Sequence, residues 1–315
     1  MGAYDYPLRI QTELAVERVF EGRVRTSRME GQRSALCLSL LALPGQRHSF
    51  TLKTLDGLEQ ASDAVAAAIP IIEAAAPEDS LEYLVLRSEH PDYFSLGGDL
   101  EHFRGCIASG DREALLRYSL RCLDLMYGWA TRWNGRLTTV ALVQGRALGG
   151  GFETALSADY LVAEEQSTFS FPEILFGLFP CTGGMGLLAR RVGVHQAERM
   201  MTNGRIYTAA ELHEMGVVDE LCERGTGLAA VQKFVRRHSR HSTARMALQR
   251  SRYRLAPLDY DDLRAVVDDW VDAAMSLKKS DLSIMEQLLR MQNAGNAVTT
   301  TDSGTRGDLF GNDRA

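Results

Sequence analysis

Three consecutive glycines, Gly149, Gly150 and Gly151, lie between a strand-like segment and a helical one. The preceding segment, residues 138–144, is a short apolar run of the kind that forms a buried strand. An acid, Glu153, follows within the first turn of the helix that these glycines would begin. Glycine adopts backbone angles that other residues avoid, and it lets a ligand approach the chain closely. The sequence therefore predicts a tight strand-to-helix turn that is open to a ligand.

A second glycine turn, residues 94–99, follows the apolar run 81–87 and also leads into a helical pattern. This alternation of strand, turn and helix predicts an α/β architecture. The first turn of a helix leaves N–H groups unpaired and carries a partial positive charge. Two such turns side by side could present two N–H groups to one oxygen, which is the arrangement of an oxyanion hole. Tight turns without a ligand remain the alternative.

Two carboxylates are candidates for proton transfer. Glu153 lies where a helix dipole favours an acid, so a capping role is the alternative for this residue. Glu173 follows Pro172 and has the apolar neighbours Phe171 and Ile174. Burial disfavours the charged form of a carboxyl, so we expect a raised pKa that suits acid–base catalysis. The two acids are 20 residues apart, a spacing that permits a shared site but does not require one.

Charge and cysteine content argue against several classes of protein. The net charge of −6 does not favour nucleic acid or an acidic membrane surface as a partner. The five cysteines include no C-x-x-C pair and suggest neither a disulfide framework nor a zinc site. No apolar run reaches the roughly 18 residues that span a bilayer, and no signal peptide is evident. We expect a soluble cytoplasmic protein without membrane insertion, bound metal or nucleic-acid partner.

The pattern becomes mostly helical after Thr208. We predict a core domain over residues 1–225 and a C-terminal helical region over 226–293. An apolar face in that helical region could pack on the core or form a subunit interface. Residues 294–315 are rich in Gly, Thr, Asn and Asp, and we predict a disordered tail there because they could bury little apolar surface.

A central segment resembles the signature of the crotonase (enoyl-CoA hydratase/isomerase) superfamily: residues 141–193 read ALVQGRALGGGFETALSADYLVAEEQSTFSFPEILFGLFPCTGGMGLLARRVG. A later segment, YTAAELHEMGVVDE, is also similar to that superfamily. The resemblance implies an α/β spiral of ββα turns followed by a C-terminal helical trimerisation region, and a homotrimer or hexamer. It implies oxyanion-hole N–H groups on Gly98 and Gly150 and catalytic carboxylates on Glu153 and Glu173. It further implies a CoA or acyl-carrier-protein thioester as substrate and no separate cofactor.

Within the superfamily, the loop FSLGGDL, the triple-glycine segment and the run PEILFGLFP resemble the bacterial diffusible signal factor synthases. This resemblance implies dehydration of a 3-hydroxyacyl-carrier-protein and hydrolysis of its thioester, which gives a 2-unsaturated fatty acid signal. It also implies a sensor kinase domain as a candidate partner. Two residues depart from the general hydratase pattern. Cys181 stands where a glycine is common, and no basic residue immediately precedes Phe94, which mildly favours a carrier protein over CoA.

Two other functions remain open on the sequence. One is an enoyl-CoA hydratase/isomerase of fatty-acid metabolism, and the other is a non-catalytic interaction protein on the same fold. The sequence leaves open the acyl chain length, the double-bond geometry and the thioester carrier. It also does not tell which glutamate is the acid and which is the base.

Overall fold

The computed structural model describes residues 17–75, 80–131, 133 and 136–297, in which strands alternate with helices. The strands are β1 (Arg18–Phe20), β2 (Val24–Met29), β3 (Gln32–Leu40), β4 (Tyr83–Ser88), β5 (Tyr93–Ser95), β6 (Thr138–Val143), β7 (Arg146–Leu148), β8 (Tyr160–Glu164), β9 (Thr168–Ser170), β10 (Tyr207–Thr208) and β11 (Glu220–Cys222). The α-helices are α1 (Leu52–Ala75), α2 (Leu100–Ser109), α3 (Arg112–Thr131), α4 (Gly150–Leu156), α5 (Gly184–Val192), α6 (Val194–Thr202), α7 (Ala209–Glu214), α8 (Gly227–His238), α9 (Ser242–Leu255), α10 (Tyr260–Met275) and α11 (Lys279–Ala297). Among the described residues, 3₁₀ helices span Glu173–Phe176 and Ser239–His241.

The strands form two sheets. The larger has seven strands in the order β1-β2-β3-β4-β6-β8-β11, and it is parallel from β3 onward. The smaller has four strands in the order β10-β9-β7-β5, of which β5, β7 and β9 run parallel. Strand β6 is buried at every position, as expected for a parallel strand that is covered on both faces.

The chain repeats one pattern as it passes between the sheets. A strand of the large sheet, a strand of the small sheet and a helix follow one another as β4-β5-α2, then β6-β7-α4, then β8-β9 and a 3₁₀ helix. This is the predicted α/β spiral of ββα turns. Because β5 and β7 are parallel neighbours, the turns that follow them emerge at the same edge of the small sheet.

The C-terminal helices are present as predicted. Helix α10 packs against α3 and buries Val267, Trp270 and Val271. The predicted domain boundary at residue 225 lies just before α8, while the subunit interface stays a prediction. Helix α11 extends to Ala297, four residues into the segment predicted as a tail, and residues 298–315 lie outside the described part of the chain. Within the described ranges, no helix is both long and apolar enough to cross a membrane.

Asp159 ties the C-terminal helices to the core sheet. Its carboxylate is buried and accepts hydrogen bonds from the Thr139 amide N–H at 2.9 Å and from the Gln249 side chain at 2.6 Å. The Tyr253 hydroxyl also donates to it, and Arg252 lies 3.0 Å away. The first donor belongs to β6 and the other three groups belong to α9. One buried acid therefore satisfies polar groups of both elements.

We predict that Asp159→Ala lowers the free energy of unfolding by about 3 kcal/mol, because it leaves several buried donors without an acceptor. Chemical denaturation followed by circular dichroism measures the change. Asp272→Ala is the control, since Asp272 pairs with Arg112 on the exposed surface and should change stability little. Equal losses in the two variants would contradict the role of Asp159.

Candidate active site

Gly98 and Gly150 lie side by side at the edge of the small sheet. A Cβ atom placed on Gly150 would be 3.5 Å from the amide nitrogen of Gly98. A Cβ atom on Gly97 would be 2.5 Å from the carbonyl oxygen of Leu148 and 3.0 Å from the amide nitrogen of Gly150. Gly97 also has a φ of +84°, a conformation that favours glycine. The two predicted turns thus meet because glycines leave room for their backbones.

The amide N–H groups of Gly98 and Gly150 lie at or just before the start of a helix. No carbonyl of a preceding helical turn is therefore available to accept their hydrogen bonds. Gly150 is the first residue of α4, so its N–H has no carbonyl one turn earlier in that helix. Gly98 precedes Asp99, whose side chain caps α2. Among the loop and cap hydrogen bonds of the described residues, none is donated by either N–H. The geometry suits two donors that point at one ligand oxygen.

Glu153 is a buried acid with two backbone donors. Its Oε1 accepts hydrogen bonds from the N–H groups of Thr182 at 2.9 Å and of Gly184 at 2.8 Å. Gly184 is the first residue of α5, so the carboxylate pairs with the N-terminus of another helix and not with its own. Burial raises the pKa of Glu153, and the hydrogen bonds from Gly184 and Thr182 oppose that rise.

Glu173 lies against the triple-glycine turn. Its Oε1 would be 2.2 Å from a Cβ atom on Gly149, so only glycine leaves space for the carboxyl at this position. Its Oε2 is buried and has no hydrogen-bond partner among the residues that the structure describes. Burial, and to a lesser degree the charge of Glu153, raise the pKa of Glu173 to about 8. The structure therefore brings the two predicted acids together in unequal surroundings.

All four predicted residues line one cavity of about 1190 Å³. Its walls are mostly apolar and come from α1, α3, the 3₁₀ segment and the C-terminal helices. They include Leu55, Leu58, Leu100, Phe103, Tyr118, Leu125, Met126, Trp129, Leu175, Phe176, Phe179, Ile206, Trp270 and Leu288. An extended apolar chain could enter this space with its head group at the glycine turns.

Sequence reasoning missed several residues of this cavity. The donors Thr182 and Gly184 follow the run that contains Glu173, and the Gly183-Gly184 pair was their only signal. Tyr118 and Trp129 lie on a helix whose pattern gave no reason to single them out.

Cys181 lines the same cavity but is a poor candidate for a nucleophile. Burial, together with the nearby charge of Glu153, raises the pKa of this thiol well above its usual value. A neutral thiol is a weak nucleophile, so Cys181 serves as a small wall residue. Within the described ranges, no cluster of three or more His, Cys, Asp or Glu residues is arranged to hold a metal ion.

Comparison with known proteins places this geometry in a family. The family model for enoyl-CoA hydratase/isomerase matches residues 64–257. The 2,3-dehydroadipyl-CoA hydratase of Escherichia coli (strain K12) is 32% identical over 184 residues, which are 58% of this chain and 68% of that protein. A probable enoyl-CoA hydratase of Rhizobium meliloti (strain 1021) is 38% identical over 112 residues, which are 34% of this chain and 44% of that protein.

A solved structure supports the fold independently. The enoyl-CoA hydratase from Bacillus halodurans superposes with a TM-score of 0.66 at 22% identity, covering 84% of this chain and 99% of that chain. The closer resemblance to signal factor synthases stays a prediction. The family model covers more than half of the sequence, the fold agrees, and the relatives described above are hydratases. This chain therefore belongs to the enoyl-CoA hydratase/isomerase family of the crotonase superfamily.

Proposed function

We propose that this protein adds water to, or removes it from, the C2–C3 bond of an acyl thioester, with Glu153 and Glu173 as the acid–base pair. The observation that carries the proposal is the unequal surroundings of the two acids. Glu153 accepts hydrogen bonds from two backbone N–H groups, whereas Glu173 has a buried oxygen without a hydrogen-bond partner in the described part of the chain. Such a pair can hold one charge and one proton on neighbouring groups.

The glycine turns stabilise the charge that the reaction creates. The thioester carbonyl oxygen accepts hydrogen bonds from the N–H groups of Gly98 and Gly150. Adding or removing a proton at C2 passes through an enolate, in which negative charge collects on that oxygen. Donors fixed at that place lower the barrier, and the loss of one typically raises it by about 3–4 kcal/mol.

The two acids take opposite roles in the addition of water. Glu153 is ionised, orients a water molecule and removes its proton as the oxygen attacks C3. Glu173 is protonated and delivers its proton to C2. In dehydration the steps reverse, so that Glu173 removes the C2 proton and Glu153 protonates the departing hydroxyl. The pair begins and ends each reaction with one proton between its members.

We further propose that the substrate is a 3-hydroxyacyl thioester with an apolar chain, carried by an acyl carrier protein. Dehydration followed by hydrolysis of the thioester would release a 2-unsaturated fatty acid. The apolar cavity and the motifs shared with signal factor synthases support this narrower function. The same two N–H groups would stabilise the oxyanion formed when water attacks the thioester carbonyl.

The two related hydratases favour a second candidate, the hydration of an enoyl-CoA without hydrolysis. Neither reaction needs a cofactor besides the thioester carrier, because the chain's own groups transfer the protons and stabilise the charge. The homotrimer or hexamer and the sensor kinase partner stay predictions from the sequence resemblance.

Mass spectrometry of the products distinguishes these functions. We expect the unsubstituted protein to convert a 3-hydroxyacyl-carrier-protein to a free 2-unsaturated fatty acid. We expect Glu153→Gln and Glu173→Gln each to lower turnover about 100-fold or more, because each removes a proton-transfer group. Glu198→Gln, a change of the same type at an exposed position on α6, is the control and should retain full turnover.

An enoyl thioester without free acid would leave the dehydratase proposal standing and exclude the hydrolysis. Activity on 2-enoyl-CoA alone would favour the second candidate. No turnover of either carrier's thioesters would contradict the proposal and favour the interaction-protein hypothesis.

The pH dependence should report the proton on Glu173. Its pKa is raised to about 8, so the residue is mostly protonated at pH 7 and loses its proton as the pH rises. We expect kcat/KM for hydration to fall as the pH passes about 8, and this limb of the profile to be absent from the residual activity of Glu173→Gln. A profile that stays flat to well above pH 8 in folded protein would contradict this assignment.

Gly150→Ala tests the proposed oxyanion hole without a general loss of folding. The added methyl would meet only ordinary contacts, but it would stand 3.5 Å from the Gly98 nitrogen, beside one of the two proposed donors. We expect an unchanged melting temperature and a kcat/KM about 100-fold lower. Gly105→Ala adds a methyl to open space on α2 and should leave activity intact. Normal activity in Gly150→Ala would argue against the hole.

A further inference from the structure

One hydroxyl joins the loop that carries Gly98 to a distant segment of the chain. The Tyr118 hydroxyl, on α3, accepts a hydrogen bond from the amide N–H of Asp99 at 3.0 Å. The same hydroxyl donates to the carbonyl oxygen of Phe50. Tyr118 is only 2% exposed, so neither group has water as a ready substitute.

The segment around Phe50 runs beside the Gly98 loop as a short parallel ladder. The Phe50 N–H donates to the Gly97 carbonyl at 2.9 Å, and the Leu96 N–H donates to the His48 carbonyl at 2.8 Å. Phe50 and Gly98 pair as a parallel bridge. In a regular ladder of this register, the next bond would run from the Asp99 N–H to the Phe50 carbonyl. The Tyr118 hydroxyl bonds to both of these groups.

The ring of Tyr118 also supports the loop that carries Gly98, through its packing against Phe103. It packs edge-on against Phe103, with ring centroids 5.2 Å apart. The Phe103 ring in turn lies close against Gly98, because a Cβ atom on Gly98 would be 2.6 Å from its Cζ. The loop is therefore fixed on one side by Phe103 and at its end by the Tyr118 hydroxyl.

We propose that Tyr118 is a positioning residue that holds the Gly98 N–H in line with the Gly150 N–H. This inference rests on the proposed function, in which those two groups bind the thioester oxygen. Tyr118 itself transfers no proton, since its hydroxyl is engaged both as donor and as acceptor. Burial also raises the pKa of Tyr118 well above its ordinary value.

Tyr118→Phe removes the hydroxyl and keeps the ring. We expect kcat to fall about 10- to 100-fold, because the donor at Gly98 shifts from the place where charge develops. We expect KM to change by less than about threefold, because the ring that forms part of the cavity wall is kept. The fall in activity near pH 8 should remain. The control is Tyr83→Phe, which removes a buried hydroxyl that is hydrogen-bonded to His238 at 3.0 Å. Tyr83 belongs to a core cluster on the other side of the large sheet.

The control separates positioning from general stability. We expect both variants to lower the melting temperature and only Tyr118→Phe to lower kcat. Wild-type kcat in a folded Tyr118→Phe variant would overturn the inference, and so would an equal loss of kcat in both variants. If Tyr118→Phe does not fold, difluorotyrosine at position 118 keeps the hydroxyl but weakens it as an acceptor. A reduced kcat with unchanged KM is then expected, and an unchanged kcat would overturn the inference.

The same assays distinguish the inference from the proposed function. Turnover by the unsubstituted protein with an unaffected Tyr118→Phe variant overturns only the role of Tyr118. Absence of any thioester turnover by the unsubstituted protein overturns the proposed function and the role of Tyr118 with it.

Discussion

The site depends on the close approach of two backbones at the edge of the small sheet. Parallel pairing of β5 with β7 brings the two turns together, and Gly97 and Gly151 allow them to touch. A Cβ atom on Gly151 would be 2.5 Å from the carbonyl oxygen of Ser95, so a larger residue would force the turns apart. The glycines therefore serve packing as much as ligand access. Moving one turn would therefore change the distance between the Gly98 and Gly150 N–H groups.

Unequal solvation gives the two acids different properties. Glu153 replaces lost water with the N–H groups of Thr182 and Gly184, whereas the buried Oε2 of Glu173 gains no donor from the described residues. An unpaired buried carboxyl disfavours its own ionisation and reduces the stability of the fold at neutral pH. A carboxyl that holds its proton near neutral pH is useful as an acid. The arrangement exchanges some stability for reactivity, as active sites commonly do.

The sequence predicted those features that arise from neighbouring residues. Apolar runs followed by glycines identified β6 and the start of α4, although the short strand β7 lies between them. The burial of Glu173 was predicted from its apolar flanks, yet Ile174 is 38% exposed and Leu175 is 50% exposed. The carboxyl is instead enclosed by the triple-glycine turn and the other cavity walls. The prediction was correct, but the physical reason lies in residues more than 20 positions away.

Features that depend on distant pairings were not accessible from local patterns. The Tyr118 hydroxyl reaches Phe50 across 68 residues, and Asp159 reaches Gln249 across 90. The spiral of ββα turns came only from the family resemblance, because β5, β7 and β9 are three residues long and too short to show a distinctive pattern. Residues 298–315, in the predicted tail, lie outside the described structure.

The central claim is that one proton resides on Glu173 near neutral pH while Glu153 is ionised. Infrared difference spectra of protein labelled with ¹³C-glutamate, recorded across a pH titration, test this claim directly. We expect a neutral-carboxyl band at pH 7 that disappears as the pH passes about 8. This band should be absent from Glu173→Gln and persist in Glu153→Gln. A spectrum without a neutral glutamate at pH 7, or a band that vanishes only in Glu153→Gln, would contradict it.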